Sequence, residues 1–128
     1  MSVNPTDLLN LADRLSHETH ESDWRGSISR AYYASYHFCK SWHNNLPQPG
    51  SLGRGGGTGG LHADLIQQMT NPSNSLTNEV WKLSKSKGFM LRDLRNRRTD
   101  ADYNLQIHCQ QKEAGAAVST AQNILTKT

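Results

Sequence analysis

The feature that most constrains the fold is an apolar stripe of helical period between residues 24 and 42. Its members recur at alternating intervals of four and three: Trp24, Ile28, Ala31, Ser35, Phe38 and Trp42. Such a stripe is typical of a helix packed against two or more others. Tyr32 and Cys39 widen this face. A neighbouring stripe consists of Arg30, Tyr33, Ala34 and His37. We therefore predict a long helix, capped by Ser22 or Asp23, with a core side and a polar-aromatic side.

Other segments of the chain also have helical rather than strand periodicity. A first helix opens near Thr6, a short one covers 61–69, and a fourth covers about 77–97, capped by Ser75 or Thr77. Gly88 weakens the fourth helix by about 1 kcal/mol relative to alanine. The sequence therefore leaves two alternatives, a continuous helix or one that breaks near Gly88. An irregular segment at 98–102 leads into a last helix. Its apolar positions are Ile107, Ala114, Ala117, Val118, Ala121, Ile124 and Leu125. The 128 residues predict one all-α domain, a bundle of four or five helices.

A glycine-rich stretch interrupts the helices at about 46–60. Seven of the eleven residues from Gly50 to Gly60 are glycine. No strand precedes the stretch, and the Gly-Lys-Ser/Thr ending of a phosphate-binding P-loop is missing. The composition therefore predicts a mobile Gly-rich loop rather than a nucleotide cradle.

Composition and charge exclude several classes of protein. No window approaches the roughly 18 apolar residues of a membrane span, and no signal peptide is recognisable, so we expect a cytoplasmic protein without membrane contact. Cys39 and Cys109 fall inside predicted helices, as buried thiols of a reducing compartment would. His17, His20 and His43 are expected on the surface at helix ends. No Cys/His spacing suggests zinc, so neither metal nor cofactor is expected.

Positive charge concentrates late in the chain, although the net charge is only +3. Residues 82–98 contain seven Lys or Arg and one carboxylate, Asp93. Within this stretch Arg92, Arg95 and Arg98 follow one another at intervals of three, and Leu94 can anchor the helix to a core. Arginine suits a bidentate grip on phosphate, but a solvated helix face with local Arg–Asp pairs explains the spacing equally well.

Two separated motifs resemble those of the HEPN superfamily. The first is the run 25–37, Arg-Gly-Ser-Ile-Ser-Arg-Ala-Tyr-Tyr-Ala-Ser-Tyr-His, which is similar to the R-x-x-I-x-R-A-Y-Y-A-x-x-H helix of a small prokaryotic branch. The second resembles the later L-x-x-x-R-x-x-A-D-Y element of that branch. It is met by Leu94, Arg98, Ala101, Asp102 and Tyr103. In that branch a histidine also opens the helix after the variable loop, as His62 does here.

The resemblance implies an up-and-down bundle of four to five helices, often a homodimer whose motifs face a shared cleft. Many HEPN proteins are metal-independent ribonucleases of toxin–antitoxin, phage-defence and CRISPR-linked systems. Their signature is an arginine, a polar residue and a histidine a few positions later. Arg95 and Asn96 supply the first two. Asp100, Ala101 and Asp102 occupy the positions expected for the histidine.

This departure bears on the chemistry of strand cleavage by a 2′-hydroxyl. Histidine, with a pKa of about 6.5, can both take and return a proton near neutrality. An aspartate near pKa 3.9 is a weak base, and neighbouring arginines weaken it further. Asp102 is therefore expected to clamp Arg98 or Arg30, and His37 could replace the missing histidine.

Two hypotheses follow. In the first the protein acts on RNA: Arg95 and Arg98 grip phosphate, His37 or Tyr103 handles protons, and Tyr33 packs a base or sugar. Further contacts to nucleic acid would come from Arg30, Arg92, Asn96 and Arg97. In the second it is a non-catalytic dimeric module that binds a partner protein, for example a nucleotidyltransferase-type antitoxin, or a nucleotide. Arg30, Arg98, Asp102 and Tyr103 would then form a buried lock between helices.

Overall fold

A computed structural model describes residues 2–53 and 59–126 of the chain. Five helices lie within these ranges: α1 (Pro5–Ser16), α2 (Glu21–Asn44), α3 (Gly60–Thr70), α4 (Asn78–Tyr103) and α5 (Gln111–Thr126). The described residues contain no strand. The all-α helical bundle is therefore confirmed. None of the five described helices combines the length and the apolar character that crossing a membrane requires.

Helix α2 is the centre of the bundle and packs against each of the other four helices. The predicted stripe is its core face: Ile28, Ala31 and Ser35 are buried, and the larger rings at its ends are partly buried. Tyr32 and Cys39 are completely buried, as the widened face predicted. Removing apolar surface from water stabilises the folded state by about 25 cal/mol per Å². This buried face therefore supplies much of the stability of the bundle.

The helix starts differ from those expected, except for α4. Helix α1 is capped by Asn4 in a reciprocal capping box with Asp7, not by Thr6. Helix α2 begins at Glu21 after His20, which makes no side-chain capping bond. Thr77 caps α4 as predicted, accepting from the backbone N–H of Val80 at 3.4 Å.

Helix α4 is longer than predicted and unbroken. At Gly88 it passes so close to α3 that a Cβ would lie 2.9 Å from Cγ2 of Thr70. Residues 98–102, expected to be irregular, are helical. The reason is Arg25 of α2, whose guanidinium donates to the carbonyls of Asp100 and Ala101. The Asp100 carbonyl also accepts the backbone N–H of Asn104, whereas the last carbonyls of a helix otherwise lack a partner within the helix.

The segment between α4 and α5 also corrects the prediction. Helix α5 starts at Gln111, so Ile107 and His108 precede it, and both are exposed. Cys109 is likewise outside the helix, yet it is buried. Both cysteines are free thiols. Burial raises the pKa of Cys39 to about 12 and that of Cys109 to about 11.

Two residues assigned to the surface are buried. Lys87, counted in the basic stretch, is fully buried in α4. Its ammonium donates to the carbonyl of Ile124 and lies 5.1 Å from the centroid of the Phe38 ring. His43 is only 5% exposed, and its Nε2 accepts the backbone N–H of Gly50 at 3.1 Å.

The predicted mobile Gly-rich loop is described only at its two ends, because residues 54–58 lie outside the described ranges. Before them the chain is held against α3. The backbone N–H of Ser51 donates to the carbonyl of Asn71 at 2.8 Å. Gly50 lies so close to α3 that a Cβ there would be 1.8 Å from the carbonyl oxygen of Gln68, which only glycine permits.

Candidate functional site

Helices α2 and α4 bring an arginine into contact with three tyrosine rings. The guanidinium carbon of Arg98 lies 5.6 Å from the ring centroid of Tyr32, 5.4 Å from that of Tyr33 and 5.5 Å from that of Tyr103. The Arg98 side chain is 15% exposed, so it lies at the edge of the core and reaches solvent. Cation–π attraction fixes its orientation there.

The charge of Arg98 is only partly compensated. Its Nε lies 3.7 Å from Oδ2 of Asp102, which is an ion pair but longer than a hydrogen bond. Among the described residues this buried Nε has no hydrogen-bond partner. Ser29 donates to the same carboxylate oxygen at 3.2 Å. The unpaired Nε is buried and therefore not open to a ligand, whereas 15% of the Arg98 side chain is exposed. Asp102 restrains Arg98, which is one of the two predicted alternatives.

A histidine from α3 completes the cluster. Nδ1 of His62 lies 2.5 Å from the hydroxyl of Tyr32. The imidazole also stacks on Tyr36, with ring centroids 4.0 Å apart and planes tilted by 6°. These two contacts hold the ring in one plane. We call Tyr32, Tyr33, His62 and Arg98 the Arg–Tyr–His cluster.

The electrostatics of the cluster favour a neutral imidazole. Burial lowers the pKa of His62, and the positive charges of Arg95 and Arg98 lower it further. Burial raises the pKa of Tyr32, so this phenol keeps its proton. At neutral pH His62 can therefore accept a proton without first losing one. The role of each ring nitrogen depends on the tautomer. If Nδ1 carries the hydrogen and donates to the Tyr32 hydroxyl, Nε2 has a lone pair that can accept a proton. In the other tautomer Nδ1 accepts from Tyr32, and Nε2 carries the hydrogen and donates.

Two predicted site residues on α2 and α4 lie next to the cluster. Arg95 is half-buried, and its charge acts on both Tyr32 and His62. His37 is exposed, with its ring centroid 6.5 Å from that of Tyr33. Helix α2 therefore meets the arginine-rich segment of α4 at the cluster. His37 lies at the margin of the group, and its charge contributes to the lowered pKa of His62.

The proposed buried lock of Arg30, Arg98, Asp102 and Tyr103 is wrong. Arg30 is exposed, and within the described ranges no hydrogen bond or ion pair joins it to the other three. Tyr103 is 69% exposed. The residue that locks α2 to α4 is Arg25, whose side chain is 11% exposed. It donates to the carbonyl of Ala101 near the end of α4 and to the carboxylate of Glu21 on its own helix.

The remaining basic candidates on α4 point elsewhere. Arg97 donates to Asp93 at 2.9 Å and lines a cavity of about 160 Å³ together with Arg25 and Cys109, on the side of α5. Arg92 and Asn96 are exposed on the outer face of α4. The arginine-rich stretch therefore divides between two sides of one helix.

Sequence reasoning missed His62, Tyr32 and Tyr36 as site residues. His62 was noted only as the residue that opens a helix, and Tyr32 was assigned to the core. The available signals were the i, i+4 spacing of Tyr32 and Tyr36 and the position of His62 at the start of a helix. Nothing in the sequence indicates that α3 lies close enough to α2 for these rings to stack.

The part of the chain that the structure describes contains no set of metal ligands. No group of three or more His, Cys, Asp or Glu residues there could hold a metal ion. No protein-family model matches the chain, and neither a curated protein nor a solved structure matches it.

Proposed function

We propose that this protein is a HEPN-like RNA-directed protein and that the Arg–Tyr–His cluster is its phosphate site. Its setting would be a cytoplasmic toxin–antitoxin or phage-defence system, and the activity to be tested is metal-independent RNA cleavage. The observation that carries the proposal is Arg98. Its guanidinium lies against three tyrosine rings at the edge of the core, with 15% of the side chain exposed. Its charge lowers the pKa of the His62 imidazole.

An RNA phosphate complements the positive charge of this arrangement. The guanidinium of Arg98 presents paired donors that match two phosphate oxygens. Arg95 adds a second positive charge on the same side of α4. Tyr33 is half-buried and leaves part of its ring for a base or sugar. Together these groups favour a nucleic-acid backbone over a neutral ligand.

His62 is the group we assign to proton transfer. Attack by a 2′-hydroxyl requires a base that is unprotonated near neutral pH, and the lowered pKa of His62 meets this condition. Tyr32 holds the imidazole through Nδ1 and so positions it. His62 takes the role that sequence reasoning gave to His37 or Tyr103, while Asp102 restrains Arg98.

RNA binding is tested with single substitutions in α4. Arg98→Gln should weaken binding of labelled RNA about tenfold or more, since a hydrogen bond to a charged group is worth about 1.5–3 kcal/mol. Arg97→Gln is the matched control, because Arg97 is adjacent to Arg98 in sequence but is paired with Asp93 on another side of the helix. The wild-type affinity should fall with salt, with a log–log slope of about −0.7 per phosphate contact. Affinity that does not change with salt would contradict the proposal.

Cleavage is tested separately, without added metal. His62→Ala should reduce the cleavage rate about 100- to 10,000-fold, the usual contribution of a general base, while leaving RNA affinity within a few fold. His37→Ala should retain cleavage. If the wild-type protein leaves RNA intact at high molar excess, the catalytic part of the proposal is wrong, although binding can still stand.

One observation favours the alternative, a non-catalytic dimeric module for a partner protein or nucleotide. Tyr103, Leu105 and Ile107 expose apolar surface within five residues where α4 ends, with exposures of 69, 69 and 52%. Exposed apolar groups of this kind often mark contacts between proteins. Light scattering distinguishes the cases: a dimer that Leu105→Glu converts to a monomer, together with no affinity for RNA, would favour this alternative.

A further inference from the structure

The outer face of α4 carries a second feature, which the cluster does not use. Six exposed or half-exposed side chains follow one line along the helix, at intervals of three, four or seven residues. They are Trp81, Lys85, Phe89, Arg92, Asn96 and Tyr103. We call this line the α4 ridge.

Aromatic rings and cations alternate along the first half of the ridge. Nζ of Lys85 lies 4.6 Å from the Trp81 ring centroid. The guanidinium carbon of Arg92 lies 5.5 Å from the Phe89 ring centroid. Phe89 is 50% exposed, so much of its ring remains open to solvent. Each cation is thus held beside a ring that it does not cover completely.

The charge of the ridge has one sign. It contains two cations and no carboxylate. Two exposed carboxylates of the same helix flank the ridge. Asp93 is paired with Arg97, and Asp100 accepts from the side-chain amide of Asn104 at 2.6 Å. A second copy of the chain docking here by twofold symmetry would bring the Lys85 and Arg92 side chains of one copy close to those of the other. Charge complementarity therefore favours a polyanion over self-association.

We propose that the α4 ridge binds single-stranded RNA and leads it towards the Arg–Tyr–His cluster, an inference that rests on the proposed function. Bases stack on Phe89 and Trp81, and phosphates pair with Lys85 and Arg92. Tyr103 ends the ridge and contacts Arg98, which joins it to the cluster. A duplex does not fit this role, because its bases are stacked on one another and present no free faces.

The dimensions of the ridge predict a dependence on RNA length. From Trp81 to Tyr103 the helix rises about 33 Å at 1.5 Å per residue. Single-strand sites of this general type cover roughly 4 to 16 nucleotides. RNA shorter than about 4 nucleotides should occupy the cluster alone, whereas RNA of about 12 nucleotides should occupy the cluster and the ridge and bind more tightly.

The experiment compares these two RNA lengths by fluorescence anisotropy. Phe89→Ala should weaken the longer RNA about 5- to 150-fold, the usual effect of losing one stacked base, and leave the shorter RNA unchanged. Phe89→Leu, which keeps apolar bulk without an aromatic face, should show most of the same loss. Ile107→Ala is the matched control, because Ile107 is equally exposed (52%) but lies off the ridge.

Each other outcome overturns the inference in a recognisable way. If both lengths bind equally and Arg98→Gln weakens them while Phe89→Ala does not, the ridge is wrong and the proposed function stands. If the wild-type protein binds neither RNA, both are wrong. If Phe89→Ala changes the molar mass in light scattering without changing RNA affinity, the ridge is a contact between copies of the chain.

Discussion

Replacing Arg25 with alanine should destabilise the protein more than replacing any exposed arginine. Arg25 extends from α2 to the end of α4 and is 11% exposed. Its guanidinium donates to five backbone carbonyls at and just beyond the end of α4: those of Asp100, Ala101, Asn104, Leu105 and Ile107. The truncation leaves all five without this donor.

The magnitude follows from the geometry of these contacts. The bonds to Ala101 (3.0 Å) and Ile107 are short, whereas the other three are 3.3–3.4 Å long and weak. A hydrogen bond from a charged donor is worth about 1.5–3 kcal/mol, so two firm bonds give about 3–6 kcal/mol. Water can reach the carbonyls of this exposed segment, which favours the lower end. We expect a loss of about 3 kcal/mol in the free energy of unfolding.

Urea denaturation and thermal melting measure this loss. For a chain of this size, about 3 kcal/mol corresponds to a fall of roughly 12 °C in melting temperature. Arg30→Ala is the matched control: Arg30 lies on the same helix and is exposed, so its change should be within about 0.5 kcal/mol. Hydrogen exchange should also accelerate at the backbone N–H of Asn104, which bonds to the Asp100 carbonyl at 3.0 Å.

Two results would refute this reasoning. A loss below about 1 kcal/mol for Arg25→Ala would mean that water replaces the guanidinium almost completely. A loss for Arg30→Ala as large as that for Arg25→Ala would mean that the interhelical lock lies where sequence reasoning first located it. In either case the account of how α4 continues to Tyr103 would be wrong.

The remaining predictions concern a glycine and a histidine. Gly88→Ala should destabilise by about 1 kcal/mol, because the new methyl group would lie 2.9 Å from Thr70 and 3.0 Å from Met69. Gly115→Ala, with nothing within 4 Å, should stabilise by about 0.5–1 kcal/mol, and chemical denaturation of both variants would show this opposite sign. Burial lowers the pKa of His43, so protonation favours the unfolded chain. Stability should be complete above about pH 6.5 and fall as the pH drops through the folded pKa. His43→Gln should reduce that pH dependence in urea unfolding curves, and an unchanged dependence would contradict the assignment.

The long apolar stripe of α2 was predictable because its period is regular and its members are large. The all-α class followed from the same signal in the other segments. The end of α4 was not predictable, because residues 98–102 are mostly polar and carry no apolar period. Their helix depends on Arg25, more than 70 residues away in sequence. Local propensity cannot detect a partner at that distance.

The site was predictable in part for a related reason. The resemblance of the two motifs, rather than any spacing, led us to expect Arg98 and Tyr33 in one site. Burial, however, depends on which elements pack, so Lys87 was counted with the surface charge although it donates to the α5 carbonyl of Ile124. His62 was missed because its role requires α3 to be placed beside Tyr36, and no periodic pattern in the chain indicates that placement.

The close approach at Gly88 has a consequence for the imidazole of His62. Helix α3 packs mainly on α4 and makes few contacts with α2. Met69, which adjoins Gly88, and His62 lie on this same short helix, about 10 Å apart along its axis. A shift of a few tenths of an ångström at one end would therefore move the ring at the other, since a helix this short does not bend easily. The position of the His62 ring is thus sensitive to a methyl group added at the opposite end of its helix.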